Sequence, residues 1–416
     1  MKQFNVPIIY RSPLIAAIKN KRRQDDRMKK DFTPTLLDFG PIRIYLARHF
    51  GFCYGVENAI EIAFKTIDEN PGRRIFLLSE MIHNPQVNDD LKQRGVQFLQ
   101  DTNGKQLIPF AGLTKDDIVI IPAFGTTRDI EEKLNSIGIP TEKYNTTCPF
   151  VEKVWNRSVQ IAKQNYSVVI HGKPAHEETR ATFSHAAFAT PTIIINDMED
   201  AVCLGKFITG ESERKDFYTR FAGRYSEGFN VEEHLKHIGV VNQTTMLASD
   251  TQAISDYLKQ VMINKYGLDE LNTADHFADT RDTLCYATND NQSAVVSLLE
   301  DVQGADLALV VGGYNSSNTS HLVELCEGKL PTYFIDSAER MKSSSEIHHY
   351  DFHNKIDLIS GNYLPAKEPL SILITSGASC PDALVEGVIE RLVSFYPINR
   401  SVDQVISSFQ SNQGHI

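Results

Sequence analysis

Three cysteines could supply a metal centre, because each stands just before an apolar stripe with helical spacing. They are Cys53, Cys148 and Cys285. The spacing predicts that each cysteine lies where a loop enters a helix. At a helix N-terminus the backbone N–H groups and the positive end of the macrodipole favour the thiolate, which is the form of cysteine that binds metals. The three positions therefore suit metal ligation, although ordinary buried cysteines at helix starts would give the same pattern.

The number and spacing of these cysteines restrict the possible metals. Three thiolates fill three corners of a [4Fe–4S] cluster and leave one iron without a protein ligand, whereas a fully ligated electron carrier needs four. Such an open iron is a Lewis acid. Structural zinc usually shows a local C-x-x-C or C-x-x-H pair, which this sequence lacks. We interpret the other cysteines as buried or incidental: Cys203, Cys326 and Cys380.

Polar segments follow several of the predicted strands, and their side chains suit an anionic ligand. Residues 171–179 contain two histidines, a lysine and two glutamates. The other segments are rich in hydroxyls, amides and glycine: residues 242–245, 312–320 and 375–379, with His83 in a further loop. Open α/β sheets bind ligands at the carboxyl ends of their strands, where such groups hold phosphate oxygens. Singly, each segment is also explained as a turn or a helix cap, but together they predict a phosphate-bearing substrate.

Short β-branched runs alternate with helical patterns along the chain, which predicts an α/β fold with largely parallel sheets. The runs are residues 42–46, 75–78, 118–121, 168–170, 307–311 and 372–375. The three cysteines are separated by about the length of one small α/β domain, so we predict one cysteine in each of three domains. The predicted segments are a basic N-terminal extension (1–41), α/β domains at 42–147, 148–281 and 282–395, and a C-terminal tail (396–416), with an insertion at 210–237.

The composition narrows the class of protein. The chain has 416 residues, of which 41% are hydrophobic and 23% charged, enough for several packed cores. The net charge of −11 and the pI near 5.6 give no electrostatic reason to bind nucleic acid or anionic lipid. No apolar run reaches the roughly eighteen residues of a membrane span. Six cysteines are too few and too dispersed for a disulfide scaffold. We therefore expect a globular protein of a reducing compartment, with no nucleic-acid or membrane partner.

Several motifs, in the same order, resemble those of the 4-hydroxy-3-methylbut-2-enyl diphosphate reductase family, also called IspH or LytB. The motifs are Gly51-Phe52-Cys53-Tyr54-Gly55-Val56, Thr147-Cys148-Pro149, His176 with Glu178, Gln243-Thr244-Thr245, Cys285 with Tyr286-Ala287-Thr288, Asn315-Ser316-Ser317-Asn318 and Ser376-Gly377-Ala378-Ser379-Cys380-Pro381-Asp382. The resemblance covers residues 42–392, and the chain looks most like the plant and cyanobacterial branch.

This resemblance implies a trefoil of three pseudo-repeated α/β domains around a central [4Fe–4S] cluster held by Cys53, Cys148 and Cys285. It also implies that Glu178 relays protons. The residues expected to face the substrate, mainly its diphosphate, are His83, His176, Thr244, Ser316, Ser317, Asn318 and Ser379. One diphosphate contact is in question, because many family members have a histidine where this chain has Phe124, and a phenyl ring cannot donate a hydrogen bond.

The activity implied by the resemblance is the reductive dehydroxylation of (E)-4-hydroxy-3-methylbut-2-enyl diphosphate, the last step of the non-mevalonate (MEP) isoprenoid pathway. The substrate hydroxyl would bind the open iron, and two electrons and two protons would release water and give isopentenyl or dimethylallyl diphosphate. A ferredoxin or flavodoxin is the expected electron donor. The expected location is the cytoplasm in a bacterium, or the plastid stroma in a plant or alga.

Two other functions fit part of the pattern. Quinolinate synthase shares the design of three cysteines in three domains but uses its open iron for dehydration, and product analysis would separate the two activities. A non-enzymatic iron–sulfur sensor or scaffold would use the polar loops only as helix caps. The density of ionisable groups in residues 171–179 argues against this second alternative.

The basic residues of the N-terminal extension suggest a docking site. An overall negative charge should repel an acidic electron carrier, and a patch of opposite charge raises encounter rates. We hypothesise that a ferredoxin or flavodoxin docks on these residues; the alternative is a solvated or packed arm. They are Lys19, Lys21, Arg22, Arg23, Arg27, Lys29 and Lys30.

Overall fold

The computed structural model describes residues 4–28, 30–269, 272–278, 283–398 and 400–411, without the side chains of 409–411. Lys29, the predicted domain boundary at 281–282 and the end of the predicted tail lie outside the described residues. The chain divides into two compact units. Unit 1 comprises residues 1–57, 83–86 and 286–416, and unit 2 comprises residues 58–82 and 87–285.

The elements alternate along the chain as an α/β fold requires. The strands are β1 (Thr35–Asp38), β2 (Ile42–Leu46), β3 (Ile75–Leu77), β4 (Gln97–Phe98), β5 (Ile118–Ile120), β6 (Ser167–His171), β7 (Thr192–Ile195), β8 (Ile238–Asn242), β9 (Phe277–Ala278), β10 (Leu307–Val311), β11 (Thr332–Ile335), β12 (Glu346–Asp351), β13 (Ile356–Gly361) and β14 (Leu370–Ser376). The α-helices are α1 (Pro13–Asp25), α2 (Tyr54–Glu69), α3 (Pro85–Gln93), α4 (Arg128–Ile137), α5 (Pro149–Ala162), α6 (Glu177–Ala189), α7 (Met198–Thr209), α8 (Arg214–Arg220), α9 (Val231–His234), α10 (Ala248–Tyr266), α11 (Tyr286–Asp301), α12 (Ser317–Glu327), α13 (Asp382–Val393) and α14 (Val402–Ser411). Single 3-10 turns lie at Ile8–Tyr10, Phe110–Gly112, Thr273–Asp275 and Ala338–Arg340.

Unit 1 is built on a five-stranded sheet in the order β1-β2-β14-β10-β11. All pairs in it are parallel except β1 with β2. Every residue of β10 is buried, as expected for an inner strand of a sheet that is covered on both faces. Strands β12 and β13 form a separate antiparallel hairpin.

The strand β2 differs from expectation in its partner. The sequence places it at the start of the first predicted domain, but it pairs with β14 in the sheet of the third, with Ile44 opposite Ile372. A β-branched run shows that a segment is extended but does not specify which strand it joins. The predicted boundary at residue 42 therefore does not coincide with a division between sheets.

The basic N-terminal segment folds as part of unit 1. Helix α1 starts at an N-cap, where Ser12 Oγ accepts a hydrogen bond from the Ile15 N–H at 2.8 Å. Leu14, Ile15 and Ile18 are almost completely buried in the same core as residues of β14 and α13. The segment that carries the predicted basic patch is therefore a packed part of unit 1.

Unit 2 contains a three-stranded sheet, β4-β3-β5, and a four-stranded sheet, β7-β6-β8-β9. Their named strands pair in parallel. The predicted insertion contributes helices α8 and α9, and its aromatic residues enter the core of the four-stranded sheet: Phe217, Phe221 and Phe229. In the described part of the chain, the three main sheets agree in number with the three predicted α/β repeats.

The same local arrangement recurs in each of the three main sheets. An inner strand is followed by a loop and by the N-terminus of a helix: β3 by α3, β6 by α6 and β10 by α12. The prediction that each of the three cysteines precedes a helix is confirmed, because they stand directly before α2, α5 and α11. Within the described residues, no helix has the length and hydropathy needed to cross a membrane.

The packing of α1 predicts that the N-terminal segment stabilises unit 1. We expect Ile15→Ala to lower the free energy of unfolding by about 2–5 kcal/mol, since the side chain is fully buried. Urea unfolding followed by circular dichroism measures this loss. Ile8→Ala is the matched control, because Ile8 is 84% exposed and its truncation should have almost no effect. Equal stability of the two variants would contradict the prediction.

Candidate active site

In unit 1, three loops bring predicted site residues together. The Ser379 hydroxyl donates a hydrogen bond to the His83 carbonyl oxygen at 3.2 Å and lies 3.5 Å from Ser316 Oγ. The Asn318 side-chain oxygen accepts a hydrogen bond from the Ala378 N–H at 2.9 Å. We call the following buried residues the unit 1 group: His83, Ser316, Ser317, Asn318 and Ser379.

Glycines allow these loops to approach one another. A methyl group at Gly313 would collide with the His83 carbonyl oxygen, and one at Gly377 would collide with Thr319 Oγ1. Only glycine permits such close backbone contact. Sequence reasoning did not single out Gly313 or Thr319, because nothing in a linear pattern shows which backbone another loop will touch.

Several polar atoms around the N-terminus of α12 are buried and have no hydrogen-bond partner among the described residues. They are Ser317 Oγ, Asn318 Nδ2, Thr319 Oγ1 and Thr375 Oγ1. Leaving a buried polar group unsatisfied costs about 1–3 kcal/mol. A helix N-terminus with unused hydroxyl and amide donors is well suited to phosphate oxygens. The donor chemistry of this region therefore fits an anionic ligand.

In unit 2, Thr244 connects a carboxylate to a cysteine. Glu178 is only 1% exposed, and its carboxylate accepts hydrogen bonds from the Thr244 N–H at 2.5 Å and from Thr244 Oγ1 at 3.0 Å. The Thr244 carbonyl oxygen accepts from the Cys285 N–H at 3.3 Å. With His176, these residues form the unit 2 group.

His176 caps helix α6, and this contact defines its tautomer. The Nδ1 atom accepts a hydrogen bond from the Glu178 N–H at 3.2 Å. A neutral imidazole with an accepting Nδ1 carries its proton on Nε2, so His176 Nε2 is a hydrogen-bond donor. The ring also meets Phe124 edge to face, with centroids 5.6 Å apart. Phe124 thus packs against a residue that is predicted to bind the substrate.

Gln243 is a supporting residue whose role the sequence did not reveal. It is fully buried, and its side-chain oxygen accepts hydrogen bonds from the Lys173 N–H at 3.1 Å and from Thr179 Oγ1 at 2.9 Å. These bonds hold the loop before α6 in place. By contrast, His171 ends β6 in the interior and pairs with Thr251 Oγ1 at 2.9 Å, which gives it a structural role.

The cysteines differ in environment. Cys148 is half-buried at the N-cap of α5, with its carbonyl oxygen accepting from two N–H groups of the first turn. The Cys53 N–H donates to the Ala378 carbonyl oxygen at 3.1 Å. Burial raises the pKa of the Cys326 thiol to about 12, and it does the same for Cys380. Both thiols lie in hydrophobic cores, where the thiolate that binds metals is disfavoured.

Cys53 belongs to unit 1, whereas Cys148 and Cys285 belong to unit 2. Among the residues that the structure describes, no group of three or more histidine, cysteine, aspartate or glutamate side chains is arranged to hold a metal ion. Ligation of one cluster by these three cysteines therefore stays a prediction.

Comparison with known proteins identifies the family. Residues 44–393 match the sequence model described as LytB protein. The chain belongs to the LytB family. A relative from a Picosynechococcus strain, named 4-hydroxy-3-methylbut-2-enyl diphosphate reductase, is 41% identical over 85% of this chain and 84% of its own length. A relative of the same name from Thermosynechococcus vestitus is 41% identical over 85% of each chain. These cyanobacterial LytB relatives confirm the predicted branch.

Two solved structures support the fold of this LytB chain. One is titled (E)-4-hydroxy-3-methyl-but-2-enyl diphosphate reductase; it is 24% identical, with a TM-score of 0.51, and the match covers 84% of this chain and 99% of that one. The other is the E-1-hydroxy-2-methyl-but-2-enyl-4-diphosphate reductase from Plasmodium falciparum, at 22% identity and a TM-score of 0.60, covering 86% and 89%. The predicted α/β fold of the LytB family is confirmed.

The hydrogen bonds to Glu178 predict a specific sensitivity of unit 2. We expect Thr244→Val to lower the free energy of unfolding by about 1.5–3 kcal/mol, because a buried carboxylate loses a charged hydrogen bond while the side-chain volume is kept. Thr244→Ser retains the hydroxyl and is the control. Urea unfolding measures the difference, and a valine variant as stable as the serine variant would show that the hydroxyl contributes nothing.

Proposed function

We propose that this chain reduces (E)-4-hydroxy-3-methylbut-2-enyl diphosphate to isopentenyl and dimethylallyl diphosphates, the last step of the non-mevalonate pathway. Two electrons and two protons are taken up, the C–O bond to the hydroxyl breaks, and water leaves. The observation that carries the proposal is the connection of Glu178 to Cys285 through Thr244. It joins a buried acid–base group to a proposed metal ligand within one unit.

The proposed cofactor is one [4Fe–4S] cluster with Cys53, Cys148 and Cys285 as its protein ligands. The position of each directly before a helix supports this assignment, since thiolates are favoured there. When bound, such a cluster supplies single electrons and one open iron that acts as a Lewis acid toward the substrate hydroxyl. The burial of Cys326 and Cys380 in hydrophobic cores argues against their taking the place of any of the three.

The ligand assignment predicts a difference between cysteines. Replacing Cys53, Cys148 or Cys285 by serine should lower the iron content of anaerobically purified protein and abolish turnover, because one of three thiolates is lost. Cys326→Ala is the control and should retain iron, since that thiol is buried at the end of α12. Iron analysis and absorption spectroscopy measure the outcome. A serine variant with normal iron content would exclude that cysteine as a ligand.

The diphosphate is proposed to bind the unit 1 group together with His176 and Thr244. The unused hydroxyl and amide donors beside α12 support the first part, and the donating Nε2 of His176 supports the second. The phenyl ring of Phe124 cannot donate a hydrogen bond to the diphosphate. The ring instead packs edge to face against the His176 imidazole and so helps to orient that imidazole toward the diphosphate.

Glu178 is proposed to hold the proton that the leaving hydroxyl takes up. Its burial keeps the carboxyl group away from bulk water, and Thr244 fixes its orientation.

We expect Glu178→Gln to keep the iron content while lowering kcat by about 10²–10⁴-fold, the usual cost of losing a general acid. Glu199→Gln, at an 83% exposed position of the same unit, is the control. A near-normal kcat in the Glu178 variant would remove this residue from the proton path.

An acidic ferredoxin or flavodoxin is the proposed electron donor, but the docking patch must be smaller than the sequence suggested. Lys19, Lys21 and Arg22 form ion pairs with acids of their own chain. Of the seven candidate cations, the three others that the structure describes are exposed: Arg23, Arg27 and Lys30. We propose that these three attract the donor. The proposed location is the bacterial cytoplasm, or the plastid stroma if the source is a plant or alga.

Neutralising these three cations tests the docking proposal without removing the core residues of α1. The triple variant Arg23→Gln, Arg27→Gln and Lys30→Gln should keep its turnover rate with a small chemical reductant. Its turnover rate with the protein donor at low salt should fall by about three- to tenfold. The control replaces three exposed lysines elsewhere by glutamine: Lys115, Lys259 and Lys329. Equal donor-driven rates in both variants would refute the patch.

A further inference from the structure

The loop that carries Cys53 is held by residues from the beginning of the chain. We call residues 50–54 the Cys53 loop; they follow β2 and end at Tyr54, the first residue of α2. The residues that hold it belong to the N-terminal arm, which we define as residues 4–25. The arm lies outside the range that matches the LytB family, residues 44–393. Both segments are in unit 1.

Lys19 is the centre of the polar contacts between the arm and the loop. Its ammonium group forms an ion pair with Asp382 Oδ1 at 2.7 Å and lies 4.8 Å from the centre of the Phe50 ring. A cation over an aromatic ring is attracted by its negative face. The side chains of Lys19 and Asp382 are only 28% and 22% exposed, so this pair is less screened by water than a pair on the open surface.

Gly51 packs directly against this ion pair. Its φ is +79°, a conformation that favours glycine. A methyl group at this position would lie 2.9 Å from Lys19 Nζ and would collide with Asp382 Oδ1. The ion pair therefore packs directly against the backbone turn at Gly51, two residues before Cys53.

Two aromatic contacts extend the interaction along the loop. Tyr10 meets Phe52 edge to face, with ring centroids 5.9 Å apart. Phe4 meets Tyr54 in the same geometry at 4.9 Å. Phe4 and Tyr10 are themselves buried. The arm thus contacts Phe50, Gly51, Phe52 and Tyr54, the residues on either side of Cys53.

We propose that the N-terminal arm positions the Cys53 loop, with Lys19 as the principal positioning residue. The effect of this positioning on the enzyme rests on the proposed role of Cys53 as an iron ligand. The restraint of the loop by the arm does not depend on that role. A loop that contains a glycine such as Gly51 can adopt many backbone conformations. Contacts from the arm restrict these conformations before iron binds, so that binding costs less conformational entropy. Lys19 touches neither substrate nor iron in this proposal.

Three full-length variants test the role of Lys19: Lys19→Met, Lys19→Arg and Lys21→Met. Methionine removes the charge but keeps an unbranched chain against Phe50, and arginine preserves the charge. Lys21 is the matched control, because it lies on the same helix and pairs with Asp25 of that helix. Amide hydrogen exchange, measured by mass spectrometry on the anaerobic, iron-loaded protein, compares the peptide covering residues 50–54 with peptides from α13 and α11.

In Lys19→Met we expect the amides of residues 50–54 to exchange about three- to tenfold faster, with α11 and the interior of α13 unchanged, because the restraint is local. Lys19→Arg and Lys21→Met should resemble the original protein. Unchanged exchange of the loop in Lys19→Met, an equal effect in Lys21→Met, or uniform acceleration of all peptides would overturn the proposal.

The rate of iron loss to a chelator separates this proposal from the ligand assignment. Faster loop exchange together with faster iron loss in Lys19→Met supports both. Faster loop exchange with unchanged iron loss supports the positioning role of the arm and counts against Cys53 as an iron ligand.

Discussion

The candidate site depends on one constraint: polar groups buried at the carboxyl ends of parallel strands need hydrogen-bond partners. In unit 2 the chain meets this need itself, since Thr244 donates twice to Glu178 and Gln243 accepts from Thr179. In unit 1 several buried donors around α12 have no partner among the described residues. Unit 2 thus contains an acid–base group whose hydrogen bonds are made within the chain, and unit 1 contains a set of donors suited to an anion.

A repeated glycine–threonine contact shows how one loop design serves both purposes. Gly172 and Gly312 each end a central strand region, and a methyl group there would lie 2.7 Å and 2.8 Å from the hydroxyl oxygen of the threonine seven residues later. The helix that follows is capped by His176 in one case and by Ser316 in the other. With the backbone held in the same way, the residues at the cap and in the first turn determine whether the loop carries imidazole and carboxylate or hydroxyls and amide.

The basic N-terminal segment illustrates how burial changes the meaning of charge. Seven cations in a short stretch suggested a surface for an acidic partner, but Leu14, Ile15 and Ile18 anchor the helix in the core of unit 1. This packing brings Lys19 to Asp382. A cation engaged with its own chain contributes little to attracting another protein, so only the exposed cations remain available for docking.

The amino-acid sequence by itself determined the α/β class, the placement of Cys53, Cys148 and Cys285 before helices, and the polar loops after strands. These features depend on local periodicity and on residue types within a few positions of one another. Only the tertiary structure decided the partner of β2, the contact between Thr244 and Glu178, and the approach of Lys19 to Asp382. These depend on which distant segments meet in the folded core, and a strand or a charge carries no local signal that names its partner.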